Sequence, residues 1–180
     1  MDFERISRSI AFHCPIFDLA EDKLNLPNGR TTTYAHILHN GAACILPVTD
    51  GGDILFVRQF RPALGAYVLE LPAGRLEPGE EPLSCAAREL REECGYTSRD
   101  IEPLLKLHSA VGYSNELIHI YTARNLEKSQ QEFDEDEIIT LEQYSTDEAI
   151  KKIMSGEITD SKTIGAIFAY SHSAASANNK

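Results

Sequence analysis

Glu89, Glu92 and Glu93 stand within five residues of one another, with Arg88 beside them and Glu80 a short way upstream. On an α-helix, at about 100° per residue, Glu92, Glu89 and Glu93 fall at about 180°, 240° and 280° from Leu83, one contiguous acidic patch. Such carboxylates repel one another by a few tenths of a kcal/mol for each i,i+4 pair. On a solvated helix face Arg88 and Arg91 would compensate that repulsion, which is the usual fate of an acidic helix. Alternatively, the carboxylate oxygens hold a hard divalent cation such as Mg²⁺ or Mn²⁺, and water and a substrate phosphate fill its other positions. Two features favour the cation. The loop ahead of the helix carries Gly74 and Gly79, where backbone can approach a ligand, and Glu80 lies at the helix entrance.

The elements that would position this patch can be read from periodicity. Leu83, Ala86, Ala87, Leu90 and Cys94 form one stripe of a helix predicted over Pro82 to Cys94, with Leu83 at the centre of the buried side. Pro82 suits the first turn and Gly95 the stop. Upstream, residues 10 to 39 alternate polar and apolar around a turn signal, Leu26-Pro27-Asn28-Gly29, which predicts a hairpin. A hairpin alone is unstable and must lean on the rest of the chain or on another chain. Ala42 to Val48 and Ile54 to Val57 flank Thr49-Asp50-Gly51-Gly52-Asp53 and read as a second hairpin, with a further strand over Tyr67 to Leu71. Strands are expected at Leu117 to Thr122 and around Ile138 to Leu141, and helices from about Asp147 to Met154 and Asp160 to Tyr170. Strands interspersed with helices point to an α/β layered domain.

With those elements in place, the stretch from Gly74 to Tyr96 resembles the Nudix box. It carries a glycine, five residues, Glu80, seven residues, Arg88-Glu89, an apolar residue, any residue, Glu92-Glu93, any residue, and Gly95. Tyr96 follows, where the family more often has an aliphatic residue. The resemblance implies a Nudix α/β/α sandwich with a mixed central sheet and an N-terminal antiparallel hairpin. It implies that Glu89, Glu92 and Glu93 ligate catalytic Mg²⁺, or Mn²⁺ in its place, with the carbonyl of Ala73 as a further ligand. Gly74, Glu80 and Arg88 would support the site, Arg88 and Glu80 by holding loop and helix together. Glu137 would be a further metal ligand or the base, with Glu135 as its rival.

Outside the box, Val57-Arg58-Gln59-Phe60-Arg61-Pro62, Leu69-Glu70-Leu71-Pro72-Ala73-Gly74 and Gly156-Glu157-Ile158-Thr159-Asp160-Ser161-Lys162-Thr163-Ile164 look like the branch that hydrolyses ADP-ribose and other nucleoside diphosphate sugars. By that likeness Arg61, Glu70, Arg75, Glu116 and Tyr34 contact substrate, although Arg61 also reads as a surface ion pair. Tyr34 and Phe12 are candidates for stacking a base, but aromatics in strands are more often core residues. Val111 stands where this branch usually has proline, which keeps GDP-mannose open beside ADP-ribose. The likeness covers nearly the whole chain and implies three parts: a hairpin region, 1–40, exchanged in a homodimer; a Nudix domain, 41–173; and a flexible tail, 174–180.

Charge and composition agree with a small-molecule enzyme. Lys and Arg total 17 against 28 Asp and Glu, and the net charge of -11 argues against a nucleic-acid or anionic-membrane partner. No window approaches the roughly 18 apolar residues of a membrane span, and the charged start lacks a signal-peptide core, so a cytoplasmic protein is expected. Cys14, Cys44, Cys85 and Cys94 show no Cys-x-x-Cys pairing and read as reduced thiols. His36 and His39, three apart on a strand, would face opposite ways rather than share a metal.

Overall fold

The turn at Leu26 to Gly29 joins two strands, and a third precedes them. The computed structural model describes residues 2–130 and 138–177. β1 (Glu4–His13), β2 (Asp18–Asn25) and β3 (Thr31–Leu38) form an antiparallel sheet in the order β1-β2-β3. At the β2–β3 turn Gly29 takes φ +80° and donates its N–H to the Leu26 carbonyl, a conformation that glycine adopts without steric penalty. The charged opening segment is therefore mostly strand. Its charge is used: Arg8 lies opposite Asp22 in the ladder and donates Nε and Nη2 to the buried carboxylate at 2.6 and 2.7 Å, and His36 lies 3.5 Å away. The Arg8 hydrogen bonds hold the Asp22 carboxyl below its usual range. Tyr34 and Phe12 are about half exposed, contrary to the expectation that strand aromatics here are core.

This sheet belongs to a compact unit made of Met1–Gly41 and His108–Leu117; the second unit comprises Ala42–Leu107 and Ile118–Lys180. In the second unit the strands are β4 (Ala42–Pro47), β5 (Ile54–Arg61), β6 (Ala66–Glu70) and β7 (Ala73–Arg75). Helix α1 (Pro82–Cys94) follows, then β8 (Tyr96–Thr97), β9 (Asp100–His108), β10 (Leu117–Arg124), β11 (Glu127–Lys128) and β12 (Ile139–Tyr144). Helices α2 (Thr146–Met154) and α3 (Ser161–Ala177) close the chain. The four-stranded sheet has the order β7-β4-β10-β9 and is mixed, with β4 parallel to β10 and antiparallel to β7. A three-stranded antiparallel sheet runs β12-β5-β6.

β4 is buried along its whole length because it packs on both faces. Cys44 and Leu46 join Ala149 of α2 and Ala166 and Ile167 of α3, whereas Ala43 and Ile45 join Cys85, Ala86 and Leu90 of α1. Helices on both sides of a mixed sheet make an α/β/α sandwich. The second hairpin expected from sequence does not form. A single bridge, Val48 just past β4 to Ile54, joins the two segments, because each strand's ladder is completed by other partners, β10 and β7 for β4, β12 and β6 for β5. Among the described residues no helix is long and apolar enough to cross a membrane.

Candidate active site

Helix α1 begins at Pro82, whose missing N–H is no loss in a first turn, and ends at Gly95, which takes φ +71° and donates its N–H to the carbonyls of Leu90 and Arg91. These bounds are those predicted, but the buried side is not. Leu83 is 47% exposed, and the buried residues are Cys85, Ala86, Glu89, Leu90, Glu93 and Cys94. Their shared face is rotated by about 70° from Leu83 toward the glutamates, so Glu89 and Glu93 lie inside it rather than on a solvated flank. Periodicity centred on Leu83 missed this because, while Cys85, Ala86 and Leu90 pack on side chains of β4, the glutamates meet backbone.

That backbone is β7. Glu93 accepts the Ala73 N–H at 3.2 Å, and the Glu89 carboxylate presses on Gly74, where an added Cβ would meet Glu89 Oε1 at 1.7 Å. Only glycine leaves room for a carboxylate there. Ala73 and Gly74 are held in turn by the β4 ladder, opposite Cys44 and Ala43.

Arg88 ties the preceding loop to the helix. Its Nε and Nη2 donate to the two oxygens of Glu80 at 3.0 and 3.2 Å, and Nη2 also reaches the Arg75 carbonyl at 3.2 Å. Nη1 donates to Glu89 at 2.6 Å and to Glu92 at 3.0 Å. Glu80 folds back to accept the Glu77 N–H at 3.0 Å. Arg88 holds the Glu80 carboxyl below its ordinary range, and Glu80 leads the carboxylates that raise the guanidinium above its own. Arg88 thus faces three carboxylates, Glu92 also accepts from Arg91 Nη2 at 3.0 Å, and Glu93 is a fourth carboxylate alongside. Among the described residues no three His, Cys, Asp or Glu side chains already converge as a metal cage. The donor set nonetheless fits a hard cation: more carboxylates than arginines bonded to them, with Glu89 and Glu93 buried against the glycine-bearing strand β7.

Residues 38–164 match the NUDIX domain. The chain belongs to the NUDIX family. It is 36% identical over 169 residues to the ADP-ribose pyrophosphatase of Bacillus subtilis (strain 168), covering 93% of this chain and 91% of that protein. It is 38% identical over 154 residues to the methanol dehydrogenase activator of Bacillus methanolicus, covering 84% and 83%. A crystal structure of an ADP compounds hydrolase superposes with a TM-score of 0.86 at 22% identity, over 96% of this chain and 94% of that one, a likeness of fold. Nudix hydrolases work with divalent cations, in keeping with the donor set on α1.

Arg61 and Glu70 form a second focus of this Nudix hydrolase. Arg61 donates Nε to Glu70 at 2.6 Å, and the other Glu70 oxygen accepts the buried Lys162 ammonium at 2.5 Å. Lys162 also reaches Asp160 at 3.0 Å, and Asp160 caps α3 by accepting the N–H and hydroxyl of Thr163. Glu93 is close enough to act on the Arg61 charge. Lys162 and Asp160 had no role in the sequence reading; the Asp-x-x-Thr spacing at a helix start was the available signal. Arg75 lies exposed on β7. Tyr34 and Glu116 belong to the other unit, where Glu116 lies 3.6 Å from His39. Glu137 and its rival Glu135 lie outside the described residues.

Proposed function

We propose that this Nudix hydrolase uses Mg²⁺, or Mn²⁺ in its place, to hydrolyse the pyrophosphate of ADP-ribose or a related nucleoside diphosphate sugar to a nucleoside monophosphate and a sugar phosphate. The observation that carries it is the carboxylate excess on α1 seated against Gly74, supported by the ADP-ribose pyrophosphatase of Bacillus subtilis among its relatives. Glu89, Glu92 and Glu93, with the Ala73 carbonyl, would hold the cation, which competes with Arg88 for Glu89 and Glu92. When bound, it supplies charge neutralisation at a pyrophosphate that otherwise repels a nucleophile. Arg88 and Glu80 keep loop and helix in register. Arg61 and Glu70, together with Arg75, Glu116 and Tyr34, would contact substrate, and Glu137 or Glu135 would supply a further carboxylate.

In this reading residues 41–173 form the catalytic domain, 174–180 a flexible tail, and 1–40 an element exchanged in a homodimer. The buried, unpaired thiols of Cys44, Cys85 and Cys94 suit a cytoplasmic setting. A second reading, a regulatory module that binds ADP-ribose without turnover, draws on the relative named as an activator. A release assay with Mg²⁺ across ADP-ribose, GDP-mannose, UDP-glucose, NADH, diadenosine polyphosphates and dGTP separates them. AMP and ribose 5-phosphate from ADP-ribose are expected. GDP-mannose as the leading substrate would move the specificity to that sugar nucleotide and make Val111 its marker, whereas ADP-ribose binding without cleavage under Mg²⁺ or Mn²⁺ would establish the regulatory reading.

A further inference from the structure

Between β6 and β7 the chain leaves the three-stranded sheet and enters the four-stranded one, and the crossing takes only Leu71 and Pro72. Both residues are buried, so their backbone groups need partners of their own. Pro72 has no N–H, and its carbonyl accepts from the Ile45 N–H of β4 at 3.0 Å. The Leu71 N–H turns instead to α3, where it donates to the Thr163 hydroxyl at 2.8 Å. The next N–H along the chain, that of Ala73, is the one held by Glu93 of α1. Three successive residues are thus fixed by three different elements, α3, β4 and α1.

Thr163, the third residue of α3, is wholly buried. Its hydroxyl has one proton, which goes to Asp160 Oδ2 at 2.6 Å. Burial pushes the Asp160 carboxyl up, but Lys162 and the Thr163 hydrogen bonds bring it below its usual range, so it stays an acceptor. An amide N–H, for its part, only donates. The direction of both bonds is therefore fixed: Asp160 takes the proton and turns a lone pair of the hydroxyl toward Leu71. Valine has the shape of threonine without either bond, and would leave the Leu71 N–H buried without its acceptor. Serine keeps both.

We infer that Thr163 is a positioning residue for the reaction: through Leu71 it holds the crossing in place, and so sets where Ala73 stands against Glu93, a role that rests on the cation site proposed above. It acts through backbone alone. The start of the last helix thereby fixes a strand on which the other side of the site depends, since Ala73 opens β7 and Gly74, beside it, receives the Glu89 carboxylate.

The test uses the whole chain and reads Mg²⁺ binding by calorimetry without substrate, exchange of the Leu71 amide by NMR, and turnover of ADP-ribose. Thr163→Val is expected to speed Leu71 exchange about tenfold, weaken Mg²⁺ binding about fivefold and lower kcat about tenfold, with KM within about twofold. Thr163→Ser should stay within about twofold of the wild type in every readout. Ile54→Val, a core deletion at the start of β5, should lower Tm and leave Mg²⁺ affinity unchanged. Wild-type Mg²⁺ affinity and turnover in Thr163→Val, or an equal loss of affinity in Ile54→Val, would overturn the positioning role and leave the cation site standing. If Thr163→Val does not fold, the wild type decides: Mg²⁺ should slow Leu71 exchange about threefold, and an unchanged rate in the Mg²⁺-bound chain would overturn the role. A wild-type chain that binds no Mg²⁺ would overturn the cation site and this role together.

Discussion

Two charged clusters in the same unit are built on opposite principles. Around Arg88, two guanidinium groups, Arg88 and Arg91, reach three carboxylates, Glu80, Glu89 and Glu92, so carboxylates outnumber the arginines bonded to them. Around Glu70, two cations and two carboxylates are paired off. Burying carboxylates without full compensation destabilises a fold, so an unbalanced cluster that persists marks where an external cation belongs. A balanced cluster leaves no such remainder. The comparison teaches that the charge remainder, rather than the number of charges, sets apart the cluster proposed to hold a cation.

The strongest way to break this comparison is at Glu93. Glu93→Gln keeps an oxygen to accept the Ala73 N–H but removes a charge, so the fold should hold while kcat falls on the order of a thousandfold, as expected for loss of several kcal/mol of charge stabilisation. Unchanged turnover would place the metal elsewhere. Next is Gly74→Ala, whose methyl would collide with Glu89 Oε1. Displacing that carboxylate should lower turnover about a hundredfold and stability by about 1–3 kcal/mol, read from kinetics and a thermal melt.

Arg88→Gln sharpens the contrast further. Removing the guanidinium takes one partner from each of three carboxylates, at an expected stability loss of roughly 2 kcal/mol, below that of a fully buried pair because Arg88 keeps 26% of its side chain in water. Mg²⁺ should then raise Tm more in Arg88→Gln than in the wild type; equal Mg²⁺ shifts would count against a cation in that cluster. The smallest effect is Glu80→Gln, about 1 kcal/mol at neutral pH. Because Arg88 depresses the Glu80 pKa, its contribution is present above the unfolded carboxylate pKa and lost as pH falls through the folded one. Wild type and Glu80→Gln should therefore converge in stability in acid, which a denaturation series against pH would reveal.

How much of this was legible depends on what fixed each element. Helix α1 was fully legible in its bounds, because Pro82, Gly95 and the apolar spacing act locally. The spacing of Glu80, Arg88, Glu89, Glu92 and Glu93 was legible as a pattern, but the buried setting of Glu89 and Glu93 was not. That setting depends on β7, three residues whose role comes from pairing with β4 rather than from their own sequence. β1 was hidden by its charges, since Arg8 only makes sense as a strand residue once Asp22 lies opposite it. The strand β9, with a proline inside it, gave little alternation to read. Lys162 could be seen in the sequence, but not its two carboxylate partners, one of which comes from a strand far earlier in the chain.

The parallel pairing of β4 with β10 has a kinetic consequence. Ala42 lies opposite Ile118 in that ladder, so the central seam of the sandwich joins segments made far apart in time. Local pieces, α1 above all, can form as the chain emerges, but the seam must wait for loop closure over everything between. High contact order of this kind slows folding, and the rate-limiting event should be the arrival of β10 beside β4.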